Sequence, residues 1–293
     1  MELSHIPVLL HEAVDLLNVE DGKWYIDATF GRGGHTREIL SFGGNVIALD
    51  HDKEAITYGM RHFVQAIEAK RIFFERENFE HIDDVVRKYD QVGKIHGVLA
   101  DFGISSPQVD DKNRGFSFLE DAPLDMRMDD RLGVKARDLV NALGRNELID
   151  LFTTYSQERH AKYIADAIVK ERKSKPIETT QDLTRIIEKV VHREGHLHPA
   201  TKVFQALRIV VNDELGSIER FLPKAFETLA SGDRLVTIAF HEGEDRLVKH
   251  FEQDLIVGGD ATAVTSKPIE PSDEEVANNP RSRSGKLRVI EKI

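Results

Sequence analysis

The sequence predicts an α/β fold: a doubly wound, mostly parallel sheet interrupted by one helical insert. Three observations predict it. Short apolar runs bounded by turn signals recur between Trp24 and Ala100 and return at Arg234, as buried parallel strands do. Helix-like segments separate the early runs. The stretch Tyr25–His35, YIDATFGRGGH, passes from β-favouring residues through Asp27 into a turn holding Gly31, Gly33 and Gly34, then into a helix-like run, Thr36-Arg37-Glu38-Ile39-Leu40. Strand, glycine turn, helix brings a backbone close to a nucleotide-like ligand, because glycine permits positive φ and carries no Cβ.

Taken in order, the strands fall at Trp24–Phe30, Asn45–Leu49, Arg71–Phe74, Ile95–Ala100 and Arg234–Phe240, with Thr262–Ser266 and Lys286–Ile290 closing the sheet. Helices are expected over Lys53–Ala69 and Glu80–Tyr89. The alternation breaks after Asp129, and from Asp138 to Leu222 the pattern is helical. Ala161, Ile164, Ala165, Ile168 and Val169 recur on one helical face, as do Leu183, Ile186, Ile187, Val190 and Val191. Thr179 and Thr180 are natural N-caps for the second of these helices, and Pro176 separates the two. The simplest layout is an α/β core over residues 1–130 and 205–293, with a helical insert over 131–204.

The chain has 293 residues, 40% hydrophobic and 31% charged, which suits a sizeable core in a water-facing protein. No apolar run is long enough to span a bilayer. Residues 1–20 are broken by His5, His11, Glu12 and Asp15 and do not read as a secretory signal. Cysteine is absent, which excludes disulfides and thiolate metal sites and fits a cytoplasmic location. A net charge of −11 argues against indiscriminate nucleic-acid binding. Basic residues nonetheless cluster at Arg281, Arg283, Lys286 and Arg288, and again at Lys170, Arg172, Lys173 and Lys175. For any single cluster a solvated face is the plainer explanation.

The second strand ends ALDHD, with Asp50 nineteen residues beyond Gly31. A carboxylate there accepts hydrogen bonds from ribose hydroxyls, in nicotinamide enzymes and in S-adenosylmethionine-dependent methyltransferases alike. Nucleotide oxidoreductases prefer G-x-G-x-x-G. Here the turn reads G-x-G-G-H, with Asp27 four positions before its first glycine, which tilts the choice toward S-adenosylmethionine. A tight structural turn without a ligand remains the alternative. His35 has two readings, a contact to the methionine end of the cofactor or a polar residue starting a helix.

After the fourth strand comes Asp101-Phe102-Gly103-Ile104-Ser105-Ser106-Pro107-Gln108, placed where ligands sit in open α/β sheets, beyond the carboxyl ends of the strands. Arg114-Gly115-Phe116-Ser117-Phe118 and Pro123-Leu124-Asp125-Met126-Arg127-Met128-Asp129 follow. They read as too polar and irregular for core, and as a long ordered functional loop. With these blocks the chain resembles the bacterial 16S ribosomal RNA cytosine-N4 methyltransferase family (RsmH/MraW type). The resemblance runs almost end to end. It includes His5-Ile6-Pro7-Val8-Leu9-Leu10-His11-Glu12-Ala13-Val14, DATFGRGGHT, DFGISSPQVDD, RGFSF and PLDMRMD. It continues through HPATKVFQALRI from His198, Asn212-Asp213-Glu214-Leu215, and Asn279-Pro280-Arg281-Ser282-Arg283-Ser284-Gly285-Lys286-Leu287-Arg288. Two departures stand out. The family usually reads S-F-H-S-L-E-D-R where this chain has Ala239-Phe240-His241-Glu242-Gly243-Glu244-Asp245-Arg246, and Phe102 replaces a common leucine.

The resemblance implies a Rossmann-like class I methyltransferase core binding S-adenosyl-L-methionine. Carried over position by position, its cofactor contacts fall on Gly33, Gly34, His35, Asp50, Phe79, Asp101 and Gln108. Phe79 would pack on adenine; without the resemblance, an ordinary core phenylalanine is the plainer explanation. The implied reaction moves a methyl group from a sulfonium to the exocyclic amine of a cytosine in the decoding region of 16S ribosomal RNA, within a small-subunit particle. The donor is already activated, so the reaction calls for no metal. Asp101 is the candidate catalytic residue, holding the amine hydrogens as charge develops. The base must be unstacked, with the insert and Arg281, Arg283, Lys286 and Arg288 gripping phosphates. His241 and Asp245 either line the cleft or anchor their own loop. A homodimer is carried as an expectation that the sequence does not decide. Other readings stay open: a methyltransferase on another RNA, DNA or a protein amine, or a non-catalytic cofactor-binding factor of ribosome assembly. A nicotinamide oxidoreductase is disfavoured by the G-x-G-G-H turn.

Overall fold

A computed structural model describes residues 7–89, 93–192 and 198–293. His5 and Ile6 of the first motif, and residues 193–197 of the expected helical stretch, lie outside the described residues. The chain divides into two compact units, one of residues 1–103 and 215–293, the other Ile104–Glu214.

The first unit is built on a seven-stranded sheet in the order β3-β2-β1-β4-β5-β7-β6. Its strands are β1 (Trp24–Asp27), β2 (Asn45–Leu49), β3 (Ile72–Glu75), β4 (Ile95–Asp101), β5 (Arg234–Ala239), β6 (Ala261–Ala263) and β7 (Lys286–Lys292). β1 to β5 pair in parallel, and β7 runs antiparallel between β5 and β6. Both faces are buried, which is why the strands read as continuous apolar runs. Ile26, Ile47, Leu49, Val98, Ala100 and Leu235 point into one core with Ile82, Phe221 and Val248. Their neighbours Tyr25, Val46, Ala48, Leu99 and Val236 point into the other, with Leu17 and Ile39.

The expected helix Lys53–Ala69 is broken in two, Lys53–His62 and Val64–Glu68. Phe63 leaves helical geometry at φ −114° and ψ 27°. Its ring sits edge-on to Phe30 and Phe74, with centroids 5.6 and 6.1 Å away. Burying that ring outweighs one more turn of regular helix. No helix among the described residues is long and apolar enough to cross a membrane.

The second unit is helical and wider than the 131–204 insert read from the sequence. Helices Ala136–Ala142, Arg145–Ser156, Ala161–Glu171, Thr180–Glu188 and Thr201–Val211 enclose its core. Thr179 caps the fourth of these, its hydroxyl accepting from Asp182 N at 3.2 Å. The extra width comes from the irregular motif segments, which are not the polar loop expected. Leu124, Met126 and Met128 are all buried, the first two inside this core. Asn212 holds them in place, accepting from Met128 N at 2.7 Å and donating to Met126 O at 2.8 Å. Arg114 donates to Arg127 O and Met128 O at 2.9 and 2.7 Å. Gly115 has φ +72°, and a Cβ there would overlap Pro123 O. Backbone carbonyls satisfied by an arginine and an asparagine let an irregular segment serve as core.

Candidate active site

The carboxyl ends of β1, β2 and β4 and the segment after β5 each carry an acidic residue: Asp27, Asp50, Asp101 and Glu244. Their partners differ, and the differences define the site.

Asp27 is 1% exposed. One oxygen accepts from Thr36 Oγ1 at 2.6 Å and the other from Thr29 N at 3.2 Å. Burial pushes its carboxyl up to about 6, against the opposing pull of those bonds. Ala28 N then donates to Leu99 O and Phe30 N to Leu49 O, so the chain stays tied to both neighbouring strands as it enters the turn.

In the turn Gly31 and Gly33 take left-handed φ values of 53° and 70°. Gly33 caps the helix Gly34–Ser41. A Cβ on Gly33 would overlap the rings of Phe30 and Phe63, and one on Gly34 would overlap Pro7. The room left by these two glycines is therefore taken up by the chain's own side chains, where the sequence pattern suggested room for a ligand. What the turn offers a ligand is its backbone N–H groups at a helix start. His35 is buried, with Nε2 3.2 Å from Val8 O, so it ties the turn to the segment before the helix Leu10–Leu17.

Asp50 closes the other side of the turn. Its Oδ2 accepts from Gly31 N and its Oδ1 from Asp52 N, each at 2.8 Å. Burial pushes this carboxyl up as well, and His51 opposes the shift. Each oxygen keeps a lone pair for a hydroxyl. Phe79 lies just past β3, oriented by Asn78, whose side chain accepts from Glu80 N at 3.1 Å. Its ring centroid is 5.1 Å from Phe221 and 5.6 Å from Phe102. The phenylalanine replacing the common leucine at 102 is thus the third member of an aromatic triangle.

Asp101 ends β4. Its backbone N donates to Thr29 Oγ1 at 2.6 Å, joining it to the bond network of Asp27. The residue is half-buried, yet Oδ1 is shut from solvent and has no hydrogen-bond partner among the described residues. Burial, reinforced by Asp27 and Glu244, pushes its carboxyl well above the usual range.

Glu244 and Thr29 are the contributors that the sequence reading passed over. Glu244 is fully buried. Its Oε2 accepts from Phe240 N and His241 N at 2.7 and 3.2 Å, while His241 Nδ1 accepts from Gly243 N and Glu244 N at 3.1 and 3.3 Å. This is a reciprocal capping box at the start of the helix Glu242–Gly258. Its sequence signal, a polar residue followed three positions later by glutamate, is present at His241 and Glu244.

The four basic residues of the last motif divide into two pairs. Lys286 and Arg288 donate to Asp245 at 3.2 and 2.8 Å, and Arg288 also reaches Glu252 at 3.4 Å. Burial would raise Asp245, but Arg288 and Lys286 hold it below its ordinary value. Asp245 therefore anchors the chain's own cations. Arg281 and Arg283 sit exposed on the short turn Pro280–Ser284. Of the other basic cluster, Arg172 donates to Val140 O and Lys175 pairs with Asp182. Gln108 lies in the helical unit, on the short helix Ser106–Asp110, where Oε1 accepts from Ser105 N at 3.0 Å. The first unit brings together Gly33, Gly34, His35, Asp50, Phe79 and Asp101. Gln108 belongs to the second.

Residues 2–293 match the model of the MraW methylase family. Two relatives called ribosomal RNA small subunit methyltransferase H are each 42% identical to the chain. One is from Clostridioides difficile (strain 630), over 314 residues, and one from Heliobacterium modesticaldum, over 315, with 100% of this chain and 100% of each relative covered. A solved chain from Clostridium thermocellum shares the fold, with a TM-score of 0.50 at 13% identity, covering 99% of this chain and 100% of that one.

Proposed function

Since the chain belongs to the MraW methylase family, we propose that it is an S-adenosylmethionine-dependent methyltransferase that acts on the exocyclic N4 amine of a cytosine in 16S ribosomal RNA. Relatives of matching length carry the name of a small-subunit ribosomal RNA methyltransferase, and the site chemistry agrees with that reaction. The carrying observation is Asp101 Oδ1, a buried oxygen at the end of β4 without a hydrogen-bond partner among the described residues, in the same unit as the glycine turn.

The residues present suit the cofactor. Asp50 has oxygens free to accept ribose hydroxyls beside Gly31, and Phe79 presents an aromatic face beyond β3. Asp27 and Asp101 supply negative charge suited to a sulfonium, and the start of the helix Gly34–Ser41 supplies N–H donors for a carboxylate. When bound, the cofactor supplies an activated methyl group. The chain's own residues then orient and handle protons. A cytosine amine is a poor nucleophile because its lone pair is delocalised into the ring. Asp101, accepting an amine hydrogen, favours a pyramidal nitrogen, takes up developing positive charge and receives the proton lost as the new N–C bond forms.

RNA grip falls to Arg281 and Arg283, the exposed pair of the last motif, and to the helical unit. Lys286 and Arg288 hold that motif against Asp245 and Glu252 and support the site indirectly. The substrate is a small-subunit particle, the place of action the cytoplasm, and a homodimer is the state to check by light scattering. Mass mapping of 16S ribosomal RNA with and without this protein tests the function. Loss of one methyl group from a cytosine N4 is expected. Unchanged ribosomal RNA alongside a missing methyl group on DNA or protein would replace the proposal with that target. Retained methylation in an Asp101→Asn variant with normal cofactor affinity would remove Asp101 from the chemistry.

A further inference from the structure

We propose that Asp101, Asp27 and Glu244 form an anionic seat that makes the site prefer a positively charged methyl donor over its neutral thioether product, with Glu244 as the specificity-determining residue that acts through Asp101. The inference rests on the cofactor reading above and extends it to the discrimination between donor and product.

Three observations carry it. The carboxylates come from three separate elements, β1, β4 and the helix after β5, and their charges converge on Asp101. Asp101 Oδ1 is buried without a hydrogen-bond partner among the described residues, although buried oxygens are nearly always satisfied. Glu244 is buried deeper than its capping role requires. Its Oε2 makes both capping bonds, while Oε1 lies 3.2 Å from His241 Nε2 and would be 3.9 Å from a Cβ built on Gly103, two residues beyond Asp101. A capping glutamate normally leaves that second oxygen in water. Here it is buried and held close to β4.

The groups facing Asp101 are thus Asp27 from β1 and Glu244 from the helix, with His241 beside Glu244 and Asp50 beyond Asp27. Among the described residues, the charges that shift Asp101 are those of Asp27 and Glu244, and both raise it. Carboxylates gathered in this way hold a proton until a cation arrives. Donor binding then releases the Asp101 proton to solvent and leaves a carboxylate facing the sulfonium. A neutral thioether offers no charge to replace the proton, so the proton stays. Once the methyl group has left, the same carboxylates no longer favour what remains, which assists product release.

The test is calorimetric titration of the full chain with S-adenosylmethionine, with sinefungin (an ammonium in place of the sulfonium) and with S-adenosylhomocysteine. Two buffers of different ionisation enthalpy count protons, from mildly acidic to mildly alkaline conditions. The two cationic ligands are expected to release protons and to gain affinity with rising pH, while S-adenosylhomocysteine does neither. Glu244→Gln keeps an amide oxygen for the capping bonds. It is expected to reduce the donor-to-product preference on the order of tenfold, the effect of removing one charge that acts on the donor through Asp101. Asp101→Asn should abolish proton release. If Glu244→Gln proves unstable, the wild-type proton count and Asp101→Asn decide the matter. Tight binding of all three ligands with equal proton counts and an unaltered preference in Glu244→Gln would overturn this inference and leave the cofactor reading standing. Failure of all three to bind, or affinities untouched by both Asp50→Asn and Asp101→Asn, would overturn both.

Discussion

Replacing Asp27 with asparagine should make the protein more stable in mildly alkaline solution and not in acid. Asp27 is buried, and its carboxyl titrates at about 6 against an ordinary value of 3.8. That difference corresponds to about 3 kcal/mol. Because the folded-state value is raised, the favourable contribution is fully present below the unfolded value, where both states hold the proton. It is lost as pH rises through the folded value, so above about pH 6 the folded protein carries the whole penalty. Asparagine has no such penalty. It keeps the acceptor for Thr29 N and, by reversing the hydroxyl bond, a contact to Thr36, but it loses an acceptor for the Thr36 backbone N–H, worth about 1 kcal/mol. The net expectation is a gain of roughly 1–2 kcal/mol at about pH 8, and a small loss at about pH 4. Urea unfolding followed by Trp24 fluorescence measures it. That residue is the chain's one tryptophan and lies in β1, stacked on Phe73 with ring centroids 5.2 Å apart, so the signal reports the sheet unit. A stability difference that does not change with pH would refute the reasoning.

Further outcomes are expected elsewhere. Arg288→Ala removes the cation that Asp245 and Glu252 share, leaving Asp245 only Lys286, and should cost about 1–3 kcal/mol in urea unfolding, as for a partly buried charged hydrogen-bond network. Gly34→Ala forces a Cβ into Pro7 and should cost about 1–3 kcal/mol. Gly232→Ala, with φ +85° and nothing nearby, should cost only the backbone term of about 1 kcal/mol, a contrast that thermal melting resolves. Charge reversal of Arg281 and Arg283 together should weaken RNA binding and reduce the slope of log affinity against log salt by roughly 1–2. An unchanged slope would show that those arginines touch no phosphate.

The sheet was legible because a strand buried on both faces must be apolar at every position, and the runs at Val46–Leu49 and Val98–Ala100 show this directly. The helix N-cap at Thr179 was legible for an equally local reason. Three things were not. The break at Phe63 depends on rings from Phe30 and Phe74, which no local pattern contains. The placing of Leu124, Met126 and Met128 in the core depends on Asn212 and Arg114 satisfying an irregular backbone, so the surrounding polar residues misdirect a periodicity argument. The division of the last basic motif depends on Asp245 and Glu252, more than thirty residues upstream of Arg288. Lys286 and Arg288 meet those two carboxylates, while Arg281 and Arg283 sit on an exposed turn. Within the site, the glycines and Asp50 were legible from spacing. The orphaned oxygen of Asp101 became visible only when the surroundings of each carboxylate could be compared.

The position of β7 has a consequence for the order of assembly. The last strand in the chain lies between β5 and β6, and Glu275, also late in the sequence, accepts from Leu9 N at 2.9 Å. During synthesis β1 to β5 can pair as they emerge, but β5 keeps an open edge and the segment packed on the glycine turn lacks its anchor until the tail arrives. A chain truncated before β7 would therefore expose the edge of β5 and be prone to aggregation.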